Sequence, residues 1–304
     1  MYFPTTLSFM SNQQFPAASR RIAIVDIGSN SIRYMEAEHS AVGPVFSRKE
    51  VYTTRLAEGL LATGCLSEAR MAQSLDVLRR LAVQAAAHGC RPYAYATSAV
   101  RDARNRESFV GRIALATGMP VRVLAGNEEA AFAYVGATGG RGGLIDIGGG
   151  STQVTCGAFR QSFPLGCVRV KDLCGDRHLA EIRRMMQAPF AKTFQLPPLP
   201  QPQWTAVGGT ATTLAALHLH LEQYDPVQVA RCQMTLGDVQ ALLCRLDDLG
   251  DAGRSALPLL AQRHDVILGG GAILTWLMER LSIVQIAFSD ADGMEGYARS
   301  ILGC

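Results

Sequence analysis

The sequence predicts an α/β chain built from two similar domains. Residues 143–151 repeat residues 23–31 at an offset of 120 positions, and each copy is an apolar strand that ends in an Asp and a turn containing glycine. Each copy is followed by stretches typical of antiparallel strands. A repeat of this size indicates a duplicated unit, and 304 residues are enough for two domains of about 150 residues each.

The first copy opens with strands rather than with the strand-to-helix step of a Rossmann unit. Ser67 is a typical N-cap residue, with Glu68 in the first turn after it and Gly89 at the far end of a helical apolar pattern. The predicted elements are strands at 21–26, 31–38 and 45–54, a helix at 67–89, a strand at 92–97, a helix at 99–115, a strand at 121–124 and a helix at 127–134.

In the second copy the first strand is again followed by predicted strands, at 152–159 and 161–170. A proline-rich surface loop is expected between Pro189 and Pro202. Two further glycine turns are predicted, one before a helix at 211–223 and one at Gly269–Gly271 before a helix at 272–281. A strand at 283–288 and a final helix complete the pattern.

Three segments follow from this organisation. We expect residues 1–19 to be a disordered tail, or an upstream extension with the working start at Met10 or later. Residues 20–125, together with about 290–304, form the first predicted domain, and residues 126–289 form the second.

Composition excludes several classes of protein. The 29 basic and 26 acidic residues give a net charge of +3, so neither a nucleic-acid-binding tail nor a polybasic membrane face is indicated. The eight cysteines contain no C-x-x-C pair, which favours a reduced, cytoplasmic protein over a zinc or disulfide framework. The longest apolar stretch, 266–278, is too short to span a bilayer. We expect a soluble cytoplasmic protein.

The glycine turns are candidate phosphate-binding sites. Consecutive glycines after a strand let the backbone adopt positive φ and direct several N–H groups at one point. A single such turn is as well explained by chain reversal alone, but four of them, two with an Asp at the same offset, favour phosphate binding. The chain contains neither a G-x-x-x-x-G-K-[ST] loop nor a G-x-G-x-x-G motif.

Acidic residues beside these turns are candidates for catalysis. Asp26 and Asp146 stand where a strand meets a glycine turn, so a bound phosphate would need a bridging cation such as Mg²⁺; the alternative is an Asp that accepts N–H bonds of the turn. Glu129 belongs to a pair of carboxylates that either caps a helix or provides a general base. Arg101 follows a predicted strand and is positioned either to reach an anion or to lie on a solvated helix face.

Six motifs in order resemble the exopolyphosphatase/guanosine pentaphosphate phosphatase (Ppx/GppA) family, over about residues 21–303. They are residues 26–33 (DIGSNSIR), 97–103 (TSAVRDA), 126–130 (GNEEA), 146–152 (DIGGGST), 164–169 (PLGCVR) and 208–214 (GGTATTL). The resemblance implies two duplicated ribonuclease-H-like domains, the actin-like ATPase fold of the actin and hexokinase superfamily, with a cleft between the domains.

The resemblance also implies roles for particular residues. The family's catalytic glutamate matches Glu129, an arginine that faces the anion matches Arg101, and the metal-associated aspartate matches Asp146, with Asp26 as a second candidate. Mg²⁺ or Mn²⁺ is the implied metal, and K⁺ is a further candidate ion. The predicted phosphate-binding residues are Gly28, Ser29, Asn30, Arg33, Gly148, Gly149, Gly150, Ser151, Gly209 and Thr210.

The chain departs from the family pattern in two of its motifs. Gln153 stands where the family commonly has Glu, which puts metal affinity in doubt, and Met294 stands where the family often has Arg. The chain also ends where longer members continue into a helical domain, so it resembles a short member.

The resulting hypothesis is an exopolyphosphatase: metal-dependent hydrolysis of the terminal phosphoanhydride bond of inorganic polyphosphate, with Glu129 activating water. Removal of the 5′ terminal phosphate of guanosine pentaphosphate is the nearest alternative. A kinase or ATPase and a non-catalytic sensor of polyphosphate or of the alarmone also remain open. The expected partners are one of these phosphate compounds and a second copy in a homodimer, without nucleic acid or membrane.

Overall fold

The computed structural model describes residues 21–201 and 203–304, so the predicted tail at 1–19 lies outside the described residues. The described chain forms two six-stranded sheets. The first contains β1 (Arg21–Ile27), β2 (Ser31–Ser40), β3 (Gly43–Phe46), β4 (Glu50–Thr53), β5 (Arg91–Ala96) and β6 (Val121–Val123). The second contains β7 (Gly143–Ile147), β8 (Thr152–Cys156), β9 (Phe159–Phe163), β10 (Trp204–Val207), β11 (Gln233–Thr235) and β12 (Gln285–Phe288).

Five strands of each sheet share one topology, and the sixth differs: β4 pairs with β2, whereas β11 pairs with β12. The first has the order β3-β2-β1-β5-β6, with β4 also paired to β2, and the second has the order β11-β12-β10-β7-β8-β9. In each sheet three consecutive strands form an antiparallel meander, β1-β2-β3 in the first and β7-β8-β9 in the second. The first strand of each meander also pairs in parallel with a later strand, β1 with β5 and β7 with β10. The register places Asp26 opposite Arg33 and, equivalently, Asp146 opposite Gln153. The duplication predicted from the 120-residue offset is therefore present in the backbone.

Helices cover both sheets. Those of the first half are α1 (Leu60–Thr63), α2 (Glu68–Ala87), α3 (Ser98–Asp102), α4 (Arg106–Thr117) and α5 (Gly126–Thr138). Those that follow are α6 (Cys167–Cys174), α7 (Leu179–Thr193), α8 (Gly209–His218), α9 (Pro226–Val229), α10 (Leu236–Asp248), α11 (Gly250–Ser255), α12 (Ile267–Arg280) and α13 (Gly293–Leu302).

The layers follow from which face of each sheet is apolar. On its outer face the first sheet packs against α2 and α4, and the second sheet packs against α7, α8, α10 and α12. Between the sheets, α13 lies on β1 and α5 lies on β7, β8 and β9. These two helices cross closely because Gly136 and Gly296 have no side chain, and a Cβ at either would overlap backbone of the other helix. The sheets are thus joined through a compact helix pair.

The glycine triplet Gly269–Gly271 is not the predicted turn. It lies in the first turns of α12, which begins at Ile267 rather than at residue 272. A Cβ on Gly270 would lie 2.2 Å from the hydroxyl oxygen of Thr210, and a Cβ on Gly271 would lie 2.2 Å from a methyl of Leu243. Close packing against two other helices therefore explains these glycines, and it outweighs their low helix propensity.

Several predicted boundaries shift. The stretch at 45–54 forms two short strands, the helix at 99–115 is interrupted between Asp102 and Arg106, and the third strand of the second copy ends at Phe163, after which α6 begins. Helix α7 continues through Pro189 to Thr193, so the proline-rich loop is shorter than predicted. The predicted cap of α2 is correct, because the Ser67 side chain accepts a bond from the Arg70 N–H. Among the described residues, no helix is long and apolar enough to cross a bilayer.

Candidate active site

A cleft of about 990 Å³ opens where the carboxyl ends of the parallel strands converge. The segments after β1, β5, β7, β10 and β12 all contribute to its lining. This is the general location of ligand sites in open α/β sheets, because the loops there are free to vary while the strands hold them in place. Most of the predicted site residues lie at this position.

The two repeated glycine turns close in the same way. The Gly28 N–H donates to the Ser31 carbonyl at 3.1 Å, and the Gly148 N–H donates to the Ser151 carbonyl at 2.9 Å. A Cβ on Gly149 would lie 2.9 Å from the Ser29 Cβ, so the two turns contact each other. The sequence thus places two equivalent turns at one point in the molecule.

The prediction that the glycines of these two turns adopt a positive φ is wrong. Neither Gly28 nor Gly148–Gly150 has a positive φ; of the glycines in the predicted phosphate turns, only Gly208 does, at 89°. Glycine is required for close approach instead: a Cβ on Gly150 would lie 2.6 Å from the Ser98 hydroxyl oxygen. Within the described residues, the N–H groups of Ser29, Asn30, Gly149 and Gly150 donate no hydrogen bond. Ser29, Asn30 and Gly149 line the cleft, so three backbone donors remain there for a ligand, whereas the predicted residue Gly150 is absent from the lining.

The third glycine turn places a helix N-terminus next to a cationic side chain. Gly209 and Thr210 begin α8, and Arg263 packs directly against Gly209 and lines the cleft. Arg263 has no hydrogen-bond or ion-pair partner among the described residues. Burial and the nearby Arg33 lower the pKa of Arg263. A guanidinium without a carboxylate partner beside a helix N-terminus favours an anion at this point.

Glu129 lines the same cleft from the first turn of α5. Its Oε2 accepts a bond from Arg101 Nη1 at 2.9 Å. Burial raises the pKa of Glu129 to about 7, although Arg101 opposes the shift. A carboxylate with a pKa near neutrality can both accept and release a proton at physiological pH, as a general base requires.

Asp146 and Asp26 provide oxygen atoms without partners. Asp146 has no hydrogen-bond or ion-pair partner among the described residues, and Oδ1 of Asp26 is buried without one. Burial and the charges of Asp292, Glu129 and Asp26 raise the pKa of Asp146 to about 7, against the opposing Arg33. No three His, Cys, Asp or Glu side chains of the described chain form a ready-made metal site. The donor set nevertheless fits Mg²⁺, which usually takes one or two carboxylates together with water and substrate phosphate.

Arg33 is already paired within the protein. Its Nε donates to Asp26 Oδ2 at 2.9 Å, and its Nη1 bonds to Asp292. Lys49 Nζ lies 3.3 Å from Asp292 and 2.9 Å from Glu295. Burial alone would raise the pKa of Asp292, but Arg33 and Lys49 outweigh it and hold that pKa below its usual value. Arg33 therefore lines the cleft with its charge shared between two carboxylates.

Gln153 orients one of the predicted phosphate-binding residues. Its Nε2 donates to the hydroxyls of Ser151 and Ser162, both at 2.9 Å, while its Oε1 is buried without a partner among the described atoms. Because the Ser151 oxygen accepts from Gln153, its own hydrogen is free to donate to a ligand. An uncharged Gln at this position leaves Asp146 as the nearest predicted metal ligand in the second turn.

Three residues of the site escaped sequence reasoning. Lys49, Arg263 and Asp292 all line the cleft. Lys49 is one of only three lysines in the chain, which is a weak signal for a special role. Arg263 stands in a segment with no local pattern, and the Asp-x-x-Glu spacing of Asp292 and Glu295 indicates only a helix cap, so only the folded chain shows that both line the cleft.

Fold and site together define an α/β protein of two similar sheets, with a cleft lined by two glycine turns and a carboxylate that could act as a general base. The model of the Ppx/GppA phosphatase family matches residues 17–303, and the chain belongs to this family. The chain is 31% identical over 322 residues to exopolyphosphatase 2 of Mycobacterium tuberculosis, covering 94% of this chain and 100% of that one. The predicted enzyme class, a hydrolase of phosphoanhydride bonds, is confirmed by family membership.

Solved structures agree with the fold. A Ppx/GppA family member of Aquifex aeolicus is 27% identical and superposes with a TM-score of 0.74, over 93% of this chain and 97% of that chain. An exopolyphosphatase of Cytophaga hutchinsonii is 23% identical and superposes with a TM-score of 0.83, over 93% and 98% of the two chains, which bears on the fold alone. The predicted pair of duplicated ribonuclease-H-like domains is confirmed.

Proposed function

We propose that the chain is an exopolyphosphatase that removes the terminal phosphate of inorganic polyphosphate in a metal-dependent reaction. The observation that carries the proposal is the meeting of the two glycine turns, with three unbonded N–H groups, in a cleft that Glu129 also lines. The named relative in M. tuberculosis is an exopolyphosphatase that this chain matches over its whole length.

The two turns bind the terminal phosphate and Glu129 activates water. Backbone N–H groups of Ser29, Asn30 and Gly149 and the Ser151 hydroxyl donate to the phosphate oxygens. Glu129 accepts a proton from the attacking water as the new P–O bond forms. The bond to the bridging oxygen breaks, and orthophosphate and a chain one unit shorter leave. Arg263 offsets the negative charge of the chain.

The proposed reaction requires a divalent cation. Asp146 would hold Mg²⁺ or Mn²⁺, with the buried Oδ1 of Asp26 as a candidate second protein oxygen. When bound, the cation offsets charge on the transferred phosphoryl group. The protein supplies few ligands of its own, so we expect metal affinity to rise strongly when a phosphate chain is present.

Guanosine pentaphosphate is the second candidate substrate. The lining of the cleft also includes a largely apolar set comprising Ala216, Tyr224, Pro226, Pro258 and Leu259. Such a surface suits a nucleoside better than a polyanion. Leu259→Asp is expected to lower kcat/KM for guanosine pentaphosphate and to leave that for short polyphosphate within about threefold.

Phosphate release tests the proposal directly. Purified protein with Mg²⁺ or Mn²⁺ is given long polyphosphate, short polyphosphate, guanosine pentaphosphate and ATP in parallel. We expect release from polyphosphate, and a loss of at least ~10²-fold in Glu129→Gln if that carboxylate is the base. Glu128→Gln is the matched control, because Glu128 caps the same helix and pairs with Arg122.

The outcomes separate the alternatives. Preferred release from guanosine pentaphosphate identifies the second candidate, and phosphate passed from ATP to an acceptor identifies a kinase. Tight polyphosphate binding without release, unaltered by Glu129→Gln, identifies a sensor and contradicts the proposal.

A further inference from the structure

We infer that Arg101 is a positioning residue that holds Glu129 from behind, rather than a ligand of the substrate anion. The inference rests on the proposed role of Glu129 as the base. It departs from the role that the family resemblance implies for Arg101. Three sets of contacts carry it.

The first set fixes the direction of the guanidinium. Nη1 of Arg101 donates both to Glu129 Oε2 and to the Leu124 carbonyl, each at 2.9 Å. Glu129 and Leu124 line the cleft, whereas Arg101 is absent from that lining among the described residues. The carboxylate therefore stands between the guanidinium and the space in which a phosphate chain would lie.

The second set holds Arg101 itself in place. Its Nε lies 3.7 Å from Asp102 Oδ1, and Asp102 in turn accepts a bond from Arg169. Arg169 belongs to α6, whose first residues donate N–H bonds to the glycine turn of the second copy; the Val168 N–H donates to the Gly149 carbonyl at 2.8 Å. A continuous chain of contacts thus joins the base to the phosphate-binding turn.

The third set is the charge that surrounds Glu129. The Glu129 carboxylate interacts electrostatically with three other acidic side chains and one tyrosine: Asp26 on β1, Asp102 on α3, Asp146 on β7 and Tyr95 on β5. Arg101 is the cation that pairs with it. Without Arg101 the ionised carboxylate of Glu129 would lose its only paired cation among the described residues. No ion pair would then fix the orientation of the Glu129 side chain.

A double-mutant cycle tests the inference, with kcat and KM measured separately for polyphosphate. The variants are Arg101→Gln, Arg101→Lys, Glu129→Gln and the double variant Arg101→Gln/Glu129→Gln. We expect Arg101→Gln to lower kcat about 10- to 100-fold with KM within about threefold, because misplacing a catalytic group acts on turnover. Arg101→Lys restores part of the rate. In the Glu129→Gln background, Arg101→Gln adds less than about threefold.

A different set of results overturns the inference. If Arg101 binds the anion, Arg101→Gln raises KM at least about 10-fold, as we expect for Arg263→Gln, and its effect adds to that of Glu129→Gln. Full turnover in Glu129→Gln would instead overturn the proposed function itself, so the two failures differ. Should Arg101→Gln fail to fold, Asp102→Asn provides the same test, since it acts on a half-exposed side chain and is expected to lower kcat severalfold without changing KM.

Discussion

At the scale of single residues, Asp146 is a buried carboxylate whose ionisation opposes folding. Its carboxylate lines a cleft among other carboxylates, and no described residue donates a bond to it. Such a group is harder to ionise in the folded protein than in the unfolded chain, so its ionisation lowers the free energy of unfolding. Residues of this kind mark the places where a ligand is expected to complete the structure.

We predict that Asp146→Asn stabilises the metal-free protein above neutral pH. The pKa of Asp146 is raised from 3.8 to about 7, so the wild type loses stability as pH rises through that window, while the Asn variant does not. Thermal unfolding at pH 8 without metal should show the variant more stable by about 1–3 kcal/mol, a few degrees in Tm. At pH 4 the difference should vanish.

Metal provides the complementary measurement. Mg²⁺ is expected to raise the Tm of the wild type and to leave that of Asp146→Asn nearly unchanged, because only the wild type binds it tightly in the folded state. The exposed Asp248 gives a control, since Asp248→Asn should show neither effect. An Asp146→Asn variant no more stable than the wild type at pH 8 would contradict the assignment.

At the scale of elements, the repeated strand-turn-strand unit is the part that sequence predicts best. The pattern of apolar strand, Asp and glycine is local, so both copies could be predicted from residues 23–31 and 143–151, and the antiparallel strands from the stretches that follow them. The triplet Gly269–Gly271 shows the opposite case. Glycine is required there because the helix packs closely against Thr210 and Leu243, which are distant in sequence. The same reason hides Arg263 and Asp292, whose placement depends on loops between well-predicted elements.

The contact between the two glycine turns gives a prediction at this scale. In Gly149→Ala the new Cβ would lie 2.9 Å from the Ser29 Cβ and 3.1 Å from the Asn30 nitrogen, so the turns must separate. We expect kcat/KM to fall at least about 10-fold, because the phosphate-binding N–H groups no longer converge, and Tm to fall as well.

A matched glycine isolates the effect of the added methyl group. Gly111 lies inside α4, and a Cβ added there would have no atom within 4 Å. Gly111→Ala should therefore stabilise the protein by about 0.5–1 kcal/mol and leave activity unchanged. Wild-type kinetics in Gly149→Ala would show that the contact between the turns is not needed for phosphate binding.

At the scale of the whole molecule, the two sheets are tied across the cleft by a few polar contacts. Thr53 Oγ1 donates to Gln262 Oε1 at 2.7 Å, Arg48 Nη2 donates to the Tyr224 carbonyl at 3.2 Å, and Arg55 pairs with Asp265 at 3.3 Å. The first two of these contacts are exposed, and an exposed polar contact contributes about 1 kcal/mol or less. Most of the apolar core lies within each layer and beside the helix pair, and only Cys167, Val168 and Val266 of the second half pack into the core of the first among the described residues.

We therefore predict that weakening these ties opens the cleft without unfolding the protein. The double variant Thr53→Val/Gln262→Ala removes one tie and keeps the shape of β4. We expect a larger radius of gyration in solution X-ray scattering, reversed by polyphosphate with Mg²⁺, and a KM raised severalfold with kcat unchanged or higher, because closure then draws on binding energy. Gln73→Ala, which alters an exposed contact on α2 far from the cleft, is the control. Identical scattering and identical KM in the double variant would show that the cleft is held closed by the helix pair alone.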